Sequence, residues 1–470
     1  MSPTPADRMP AHRTGIPTPA NRTPVDLSPG EAARVVGKVL APLVAQGAII
    51  RRPRATAWAE RHQADRTARA VLGGLRERHD RAPLAFGVGP RRFVVVTERE
   101  DVRRLLEDSP EPFSPATKEK RGALAHFQPE GVLISSTTER WHRRPFNEHA
   151  LQMDQPVHDD GAAFVDAVRR GMVELNRQLD TTGRFDAYAF HEAWWGVVLE
   201  VVLGTKARGD RELVAILNAL RRDANWSWLH PRRTRLREEL DRRIASYLRA
   251  PEPGSLAASA HRSGPATAVG QVPHWLFAFD AAGAATLRAL AMVAARPEVR
   301  ERVLVEAGQG GPAASLQGVR GPALLPYARA CVLESVRLWP TTFVVLREST
   351  GPTAWGRRTL PAHTGFVVVS SYFHRDPAGR AHADAFVPEA WLDGRNDGDW
   401  GLVPFSGGPA ACPGRNVVLL VASHLLARLA TRDLRVARGR YLARDPLPAT
   451  VDHLGLRFRM AGSAGGGGVA

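Results

Sequence analysis

Residues 404–416 read Pro-Phe-Ser-Gly-Gly-Pro-Ala-Ala-Cys-Pro-Gly-Arg-Asn, and an apolar-rich run follows them from Val417 to Leu429. Glycine and proline at this density predict an irregular loop that leads into a helix. Cys412 lies at the end of the loop, where unpaired amides and the positive end of the helix dipole favour a thiolate. Such a thiolate is open on one side and can reach a large flat ligand, with Phe405 covering its back face.

A buried structural cysteine before a core helix is the alternative interpretation of Cys412, because free cysteine packs as a small hydrophobic side chain. The chain has two cysteines, and the other, Cys331, lies far away inside a helical pattern. No Cys-x-x-Cys pair therefore predicts metal chelation, and two cysteines exclude a disulfide framework.

A second motif lies upstream, where Glu334-Ser335-Val336-Arg337 precedes Leu-Trp-Pro. Glu334 and Arg337 are three residues apart, so they share one face of a helix and can pair. Their neighbours are mostly apolar, which predicts partial burial. A buried ion pair must be well satisfied, so the sequence predicts a structural role for this one.

The spacing of Phe405, Gly408, Cys412 and Gly414 resembles the heme-binding loop of the cytochrome P450 family, the heme-thiolate monooxygenases. The Glu-x-x-Arg sequence looks like the helix that braces this loop in the family, and the resemblance covers residues 92–460. It implies a mainly α fold with a smaller β-rich lobe (α+β). Heme b would lie between a long central helix and the loop, with its iron ligated by Cys412 and with Phe405 and Gly414 beside it.

The longest helix is predicted from Val272 to Arg296, with a centre of small residues that ends in Ala-Gly-Ala-Ala-Thr. Small residues leave room for something bulky, although a tight helix–helix crossing would also explain them. The centre resembles the oxygen-binding groove of the family, which makes Gly283 and Thr286 the predicted catalytic positions, with the Thr286 hydroxyl binding dioxygen and passing protons to it. Ala285 stands where the family usually has an acid. Asp280, five residues earlier, points elsewhere and cannot replace it.

Residues 139–146 resemble the helix that clamps the heme propionates in the family through Trp-x-x-x-Arg. Pro145 occupies the position where that spacing requires arginine. The prediction is therefore Trp141 with Arg143 or Arg144 as a substitute, because guanidinium groups bind carboxylates in a bidentate manner. An exposed basic helix start is the alternative for each arginine.

Arg347 matches a strand arginine that reaches a propionate in the family. Ala410 replaces a cation that often binds a propionate there, and Ala390 replaces the arginine that usually joins the Glu334–Arg337 pair. With Pro145, three expected cations are missing. Either other arginines compensate for them or heme is held less tightly.

The 470 residues are 44% hydrophobic, which is enough for one large core or two domains at most. Residues 1–27 and the Gly-rich residues 462–470 predict disordered tails around a single domain at residues 28–461. No apolar run reaches the length of a membrane span and the N-terminus has no signal-peptide core. The sequence therefore predicts a cytoplasmic protein with no membrane partner.

The formal net charge is +16, and the basic residues are spread along the chain among acids. This distribution predicts a solvated basic surface and no nucleic-acid partner, although a nucleic-acid-binding helical protein stays a third hypothesis. A basic face could still steer an acidic redox protein.

Four local patterns predict further structure. A capping box at Ser28 and Glu31 starts a helix, and a second helix is predicted at residues 57–79. Residues 112–135 predict an irregular loop, and the Pro-, Gly-, Ala- and Ser-rich residues 251–270 predict a linker.

The resemblance implies a monooxygenase that inserts one oxygen atom of O2 into a small organic substrate, possibly a secondary metabolite. No nucleotide-binding glycine pattern follows a strand, so electrons would come from a separate ferredoxin- or flavodoxin-type partner. Ala285 raises a first alternative, a peroxide-driven peroxygenase or redox-neutral heme enzyme. A second alternative is a non-catalytic heme- or ligand-binding protein.

Overall fold

The small-residue helix predicted around Thr286 is the longest helix of the computed structural model, which describes residues 22–308 and 323–461. It is α13, Pro265–Ala295 in the order below, and it packs against the apolar helices α9, α15 and α17 in the main core. The helices in the described residues are α1 Pro29–Arg34, α2 Ala41–Ala45, α3 Pro53–Arg61, α4 Ala64–Arg78, α5 Arg99–Glu107, α6 Lys118–Leu124, α7 Thr137–Ala150, α8 Gly161–Thr182, α9 Ala187–Leu203, α10 Arg211–Ala224, α11 Thr234–Arg249, α12 Leu256–Ser263, α13, α14 Pro297–Glu306, α15 Pro326–Leu338, α16 Ser370–His374 and α17 Arg415–Ala430.

The strands form a smaller β-rich part in three sheets, with the orders β1-β2-β3-β9-β6-β4, β10-β11-β5 and β7-β8. The fold is therefore mainly α with a smaller β-rich lobe, as the sequence predicts. The strands are β1 Val25–Asp26, β2 Leu84–Val88, β3 Arg91–Val95, β4 Phe113–Ser114, β5 Arg184–Asp186, β6 Val344–Ser349, β7 Thr353–Trp355, β8 Arg358–Leu360, β9 Gly365–Val369, β10 Leu434–Arg438 and β11 Arg457–Met460.

The N-terminal boundary differs from the prediction. Val25 and Asp26 form β1, which pairs in parallel with Leu84 and Ala85 of β2. Residues 22–27 are therefore part of the fold, because backbone pairing with β2 outweighs their loop-like composition. The rest of the predicted N-terminal tail and the Gly-rich residues 462–470 lie outside the described residues.

The first helices follow the sequence in one feature and depart from it in another. The Ser28 hydroxyl accepts the Glu31 N–H and the Glu31 carboxylate accepts the Ser28 N–H, which completes the predicted capping box. The single helix predicted at residues 57–79 is two helices, α3 and α4. They are separated because Gln63 has a φ of 47°, which a continuous helix does not allow.

Two segments predicted as loops contain helices. Residues 112–135 include β4 and α6, and the Thr117 hydroxyl caps α6. Residues 251–270 include α12, capped by the Ser255 hydroxyl, and the start of α13 with Pro265 at its first position. The alanines of this segment are good helix formers, and proline is tolerated in the first turn. The prediction of a linker at residues 251–270 was therefore wrong.

Candidate active site

The cysteine loop is a tight turn that ends directly before α17. The Cys412 N–H donates to the Phe405 carbonyl at 2.9 Å, and Gly414 is the N-cap of α17. Gly408 has a φ of 61°, and a Cβ atom there would lie 2.1 Å from the Leu106 carbonyl oxygen. Only glycine fits this close approach to the end of α5, so the loop is held against the β-rich lobe.

The Cys412 side chain lies beside the start of α17, close to Arg144 and Arg415. It is half-buried by accessible area, yet burial raises the pKa of its thiol, while the Gly414 N–H and the charges of Arg144 and Arg415 oppose the rise. Burial therefore outweighs the helix-start amides that the sequence analysis emphasised. A bound metal ion would reverse this balance, because a coordinating thiol is deprotonated.

Thr286 is fully buried on α13, and its hydroxyl donates to the Ala282 carbonyl at 2.8 Å. This bond uses the one donor of the hydroxyl and leaves its oxygen able to accept. The neighbouring Ala285 carbonyl accepts the Ser335 hydroxyl of α15 at 2.9 Å. The backbone around Thr286 is therefore tied to α15.

The missing side chain of Gly283 faces a neighbouring helix. A Cβ atom at Gly283 would lie 2.7 Å from Nε1 of Trp194 on α9, and that Nε1 donates to the Phe279 carbonyl at 2.8 Å. This corrects the prediction of a catalytic role for Gly283: the glycine admits the indole ring. The alternative of a tight helix crossing explains the residue.

Asp280 is occupied by an ion pair on α13. It contacts the guanidinium of Arg221 on α10. Burial alone would raise the pKa of Asp280, but Arg221 and His191 hold it below its usual value. The Asp280 carboxylate therefore pairs with α10. This agrees with the expectation that Asp280 does not replace the acid missing at Ala285.

The predicted propionate clamp on α7 is only partly directed inward. Trp141 is 74% exposed, which corrects its predicted role, because the side chain points to solvent. Arg143 pairs with Glu139 and donates to the Ser135 hydroxyl at 3.0 Å. Arg144 is largely buried and donates to the Ala411 carbonyl at 2.6 Å, one residue before Cys412.

Three cations form a group that we call the cation cluster: the buried Arg140 and Arg347 and the half-buried Lys120. Arg347 donates to the hydroxyls of Ser109 at 2.7 Å and Ser406 at 3.0 Å, and so joins the cluster to the cysteine loop. Arg140 donates to the Val132 carbonyl, and Lys120 to the carbonyls of Pro115 and Leu346.

The cation cluster has no anionic partner within the part of the chain that the structure describes. Desolvation is the main cause that lowers the pKa of Lys120 and that lowers the pKa of Arg140 and of Arg347 to about 10. Repulsion adds to it, from Arg347 and Arg140 at Lys120, from Arg144 at Arg140, and from Arg140 at Arg347. Unpaired buried charge is costly, so such a cluster fits a ligand that brings carboxylates. Heme b, with two propionates and an iron that accepts one thiolate, fits these residues.

Sequence reasoning missed Arg140 and Lys120. Arg140 lies one helical turn before Arg144, and this i, i+4 spacing was the available signal for an inward-facing pair. The family pattern points to Trp141, the residue after Arg140, and its side chain lies about 100° further around the helix. Lys120 had no signal, because its segment was predicted as a loop.

Glu334 and Arg337 are paired as predicted, in a buried bidentate ion pair with N–O distances of 2.8 and 2.7 Å. The family's third member of this ion-pair group, an arginine, is replaced by Ala390, and a neighbouring side chain takes its place. The indole N–H of Trp391 donates to Glu334 at 2.8 Å.

A comparison with family models matches residues 280–430, from Asp280 to the end of α17, to the cytochrome P450 model. The whole fold is similar to a solved structure, a cyanobacterial CYP120A1 bound to retinoic acid, with a TM-score of 0.65. That similarity covers 82% of this chain and 92% of the other at 16% sequence identity. Residues 280–430 are therefore similar to the cytochrome P450 family, and the chain as a whole has the fold of that solved structure.

Curated relatives match this chain over a limited part of its length. Cyclooctat-9-en-7-ol 5-monooxygenase of Streptomyces melanosporofaciens is 31% identical over 30% of this chain and 31% of its own length. The cytochrome P450 monooxygenase sthF of Phaeosphaeria nodorum is 31% identical over 29% of this chain and 28% of its own length. The matched part therefore spans less than a third of these relatives.

The prediction that no apolar run reaches the length of a membrane span was wrong: within the described residues one helix, Thr267–Ala295 in α13, is long and apolar enough to cross a membrane by composition. It has a mean hydropathy of 1.5, and 78% of its most apolar window is buried in the protein. Its apolarity is therefore that of a core helix.

Proposed function

We propose that this protein is a heme-thiolate monooxygenase of the cytochrome P450 family that inserts one oxygen atom of O2 into a small organic substrate. The observation that carries the proposal is the cation cluster beside the loop that ends at Cys412. Arg140 and Arg347 are buried, Lys120 is half-buried, and none of them has a carboxylate partner in the described residues. Arg347 reaches Ser406 of the loop that carries the Cys412 thiol, so the cations and the thiol together suit the propionates and the iron of heme b.

Each residue of the site has a proposed role. Cys412 ligates the iron, and Arg140, Arg347, Lys120 and Arg144 hold the propionates. A thiolate-ligated heme supplies oxygen activation and favours O–O cleavage when it is bound. The protein positions the substrate and controls the protons.

Thr286 is proposed to control proton delivery at its Oγ1. Its hydroxyl hydrogen is held by the Ala282 carbonyl, so Oγ1 can accept a hydrogen bond and release its own proton when that bond breaks. The substrate pocket would lie beside α13. One relative of the chain is named as a cyclooctat-9-en-7-ol 5-monooxygenase, which supports an apolar substrate.

Electrons are proposed to come from a separate ferredoxin- or flavodoxin-type protein in the cytoplasm. The basic composition of the chain supports this, because electrostatic complementarity speeds the encounter with an acidic redox partner.

Peroxide-driven oxygenation is the second candidate, and two observations favour it. Ala285 has no proton-transfer group, and Asp280, the nearest acid before it on α13, is paired with Arg221. An incomplete proton relay would make direct use of peroxide easier than reduction of O2.

The first experiment is the absorption spectrum of the purified protein, reduced and with carbon monoxide, for the parent and for Cys412→Ala. Cys331→Ala is the matched control, because that cysteine is buried in α15. We expect a strongly red-shifted Soret band in the parent and the control and its loss in Cys412→Ala. A spectrum that Cys412→Ala leaves unchanged, or a protein without heme, would contradict the proposal.

The electron source is tested next with turnover driven by ferredoxin or flavodoxin and, in parallel, by hydrogen peroxide. Product only with the protein donor supports the monooxygenase, and product only with peroxide supports the second candidate. Heme binding without turnover by either route would indicate a non-catalytic heme-binding protein.

A further inference from the structure

An exposed apolar patch lies just after α10. Trp226, Trp228 and Leu229 are 39%, 72% and 61% exposed, and we call these three residues the tryptophan patch. The ring centroids of the two indoles are 5.9 Å apart. Single exposed apolar side chains are common on protein surfaces. Three of them within four residues of a turn form a contiguous patch, which indicates a contact surface.

The tryptophan patch is held in place by the rest of the fold. The Trp226 carbonyl accepts the Leu229 N–H at 2.8 Å, which closes a turn. Directly before the patch, the side chain of Asn225 accepts the Ile49 N–H at 2.9 Å and donates to the Ile50 carbonyl at 2.7 Å. The patch is therefore fixed to the segment that joins α2 to α3.

The end of α2 and the segment after it extend the same surface. The guanidinium of Arg52 lies 4.2 Å from the ring centroid of Trp226. It also donates to the carbonyls of Ala45 and Asn225, at 3.4 Å each. Val44, the neighbour of Ala45, is 56% exposed. Two parts of the chain that lie far apart in the sequence therefore form one exposed face.

Both of these parts lack acidic residues. No aspartate or glutamate occurs at residues 32–59 or at residues 224–237, whereas the two ranges contain five and four basic residues. The whole chain has 48 acidic residues against 64 basic ones. The face around the tryptophan patch is therefore far more basic than the chain as a whole.

Some arginines of this face have a carboxylate partner and others have none. Arg233 pairs with Asp223 at 3.6 Å, and Arg237 pairs with Asp241. The exposed arginines close in sequence to Arg52 or to the patch that form no ion pair within residues 22–308 and 323–461 are Arg54, Arg232 and Arg235. Their charges are available to an anionic partner.

This combination is typical of a protein surface that lies on a membrane. Tryptophan rings favour the level of the lipid headgroups, and leucine side chains enter the boundary with the acyl chains. Arginines near a membrane surface are attracted by anionic headgroups. Charge complementarity therefore selects an anionic membrane as the occupant of this face.

Two other occupants fit the face less well. Single-stranded nucleic acid binds arginines and stacks its bases on open aromatic rings. Arg52 covers one face of Trp226, and Leu229 and Val44 offer no ring for stacking. A second copy of this chain would bring the unpaired arginines of one copy against those of the other, and such like-charge contacts are unfavourable.

We propose that the tryptophan patch and the arginines around it bind the surface of a membrane that contains anionic lipid, with Trp228 and Leu229 among the headgroups. The contact is peripheral and does not depend on the proposed function. The prediction of no membrane partner rested on the lack of a membrane-spanning run, and a peripheral contact needs none. Together with the proposed function, it would bring the protein to the phase in which apolar substrates dissolve.

The test is co-sedimentation of the full chain with lipid vesicles. One set of vesicles is phosphatidylcholine alone, and the other is equal parts of phosphatidylcholine and phosphatidylserine. The apolar variant is Trp228→Ser with Leu229→Ser. Its control is Trp141→Ser, since Trp141 is 74% exposed on α7.

A second variant tests the charge of the face. It is Arg232→Gln with Arg235→Gln, and its control is Arg435→Gln with Arg459→Gln, an exposed cross-strand pair on β10 and β11. Thermal unfolding of all variants at the parent's temperature shows that a loss of binding is not a loss of fold.

We expect the parent to bind the mixed vesicles about tenfold or more tightly than the phosphatidylcholine vesicles, and added salt to weaken this binding. The charge variant should lose most of that preference, and the apolar variant should bind the mixed vesicles about tenfold or more weakly than the parent. The two control variants should bind like the parent.

No binding of the parent to the mixed vesicles, or equal losses in the variants and their controls, would overturn the inference. Binding of a single-stranded DNA oligonucleotide without binding of vesicles would assign the face to nucleic acid. Sedimentation without vesicles that the apolar variant abolishes would assign it to a second copy of the chain. The carbon monoxide spectrum does not depend on vesicles, so the proposed function and the membrane contact can fail separately.

Discussion

Arg337 holds Glu334 through two parallel hydrogen bonds, from Nε to Oε2 at 2.8 Å and from Nη2 to Oε1 at 2.7 Å, and neither side chain has exposed surface. Glu334 also accepts the Val387 N–H at 2.9 Å and the Trp391 indole N–H at 2.8 Å. Four donors therefore satisfy the carboxylate, as a buried ion pair requires.

The same pair fixes the segment that leads to the cysteine loop. Arg337 also donates to the carbonyls of His374, Ala383 and Ala385. Its guanidinium therefore links α15 to the end of α16 and to the irregular segment that follows it.

Replacing Trp391 with phenylalanine should destabilise the protein by about 1–3 kcal/mol, the cost of leaving a buried acceptor with one donor fewer. The measurement is the free energy of unfolding in urea. Trp228→Phe is the control, because Trp228 is 72% exposed, and its change should stay within about 0.5 kcal/mol. Equal losses in both variants would show that the Trp391 N–H contributes nothing to Glu334.

Replacing Gly283 with alanine should destabilise the protein by about 1–3 kcal/mol, because the added Cβ would overlap the indole of Trp194. That indole cannot move aside without losing its bond to the Phe279 carbonyl. Gly73→Ala in α4 is the control, since nothing lies within 4 Å of its added Cβ. It should stabilise by up to about 1 kcal/mol. Thermal unfolding of both variants checks the opposite signs, and a stabilised Gly283→Ala would contradict the packing.

Replacing Arg140 with glutamine should speed heme loss about tenfold or more, because a buried charge-assisted contact to a propionate is removed. Trp141→Phe should leave the rate unchanged, since that ring is exposed. The measurement is heme transfer to an excess of an apo-globin. Faster loss in Trp141→Phe with no change in Arg140→Gln would restore the original prediction from the sequence.

His374 should make the protein less stable in acid. Its Nε2 accepts the Val403 N–H at 3.0 Å, and desolvation, followed by Arg380 and Arg337, lowers the pKa of His374 to about 3. The unfolded chain, with a pKa near 6.5, then binds one more proton than the native protein between these values. Stability is therefore complete above pH ~6.5 and falls by up to about 1.4 kcal/mol per unit below it.

The check is the free energy of unfolding between pH 7 and pH 4 for the parent and for His374→Gln. Glutamine keeps an acceptor for the Val403 N–H but does not titrate. We expect the slope with pH to be shallower in the variant by about one proton. Parallel curves would mean that His374 does not contribute.

Much of the site could be predicted from the sequence because its signals are local. The Gly- and Pro-rich residues 404–416 predict the loop before α17, and the three-residue spacing predicts the pair of Glu334 and Arg337. Small apolar residues over many turns predict α13. Each of these three features depends on residues a few positions apart, so the local conformational preference is the same in the folded protein.

The tertiary structure decided which side chains turn inward. Arg140 rather than Trp141 faces the interior, because adjacent residues of a helix point about 100° apart and only the packing of α7 selects one of them. The indole of Trp391 replaces the arginine missing at Ala390, and Trp194 occupies the space at Gly283. These partners lie tens of residues apart or use backbone groups, so no local spacing encodes them. The group of Lys120, Arg140 and Arg347 likewise exists only once α6, α7 and β6 are packed together.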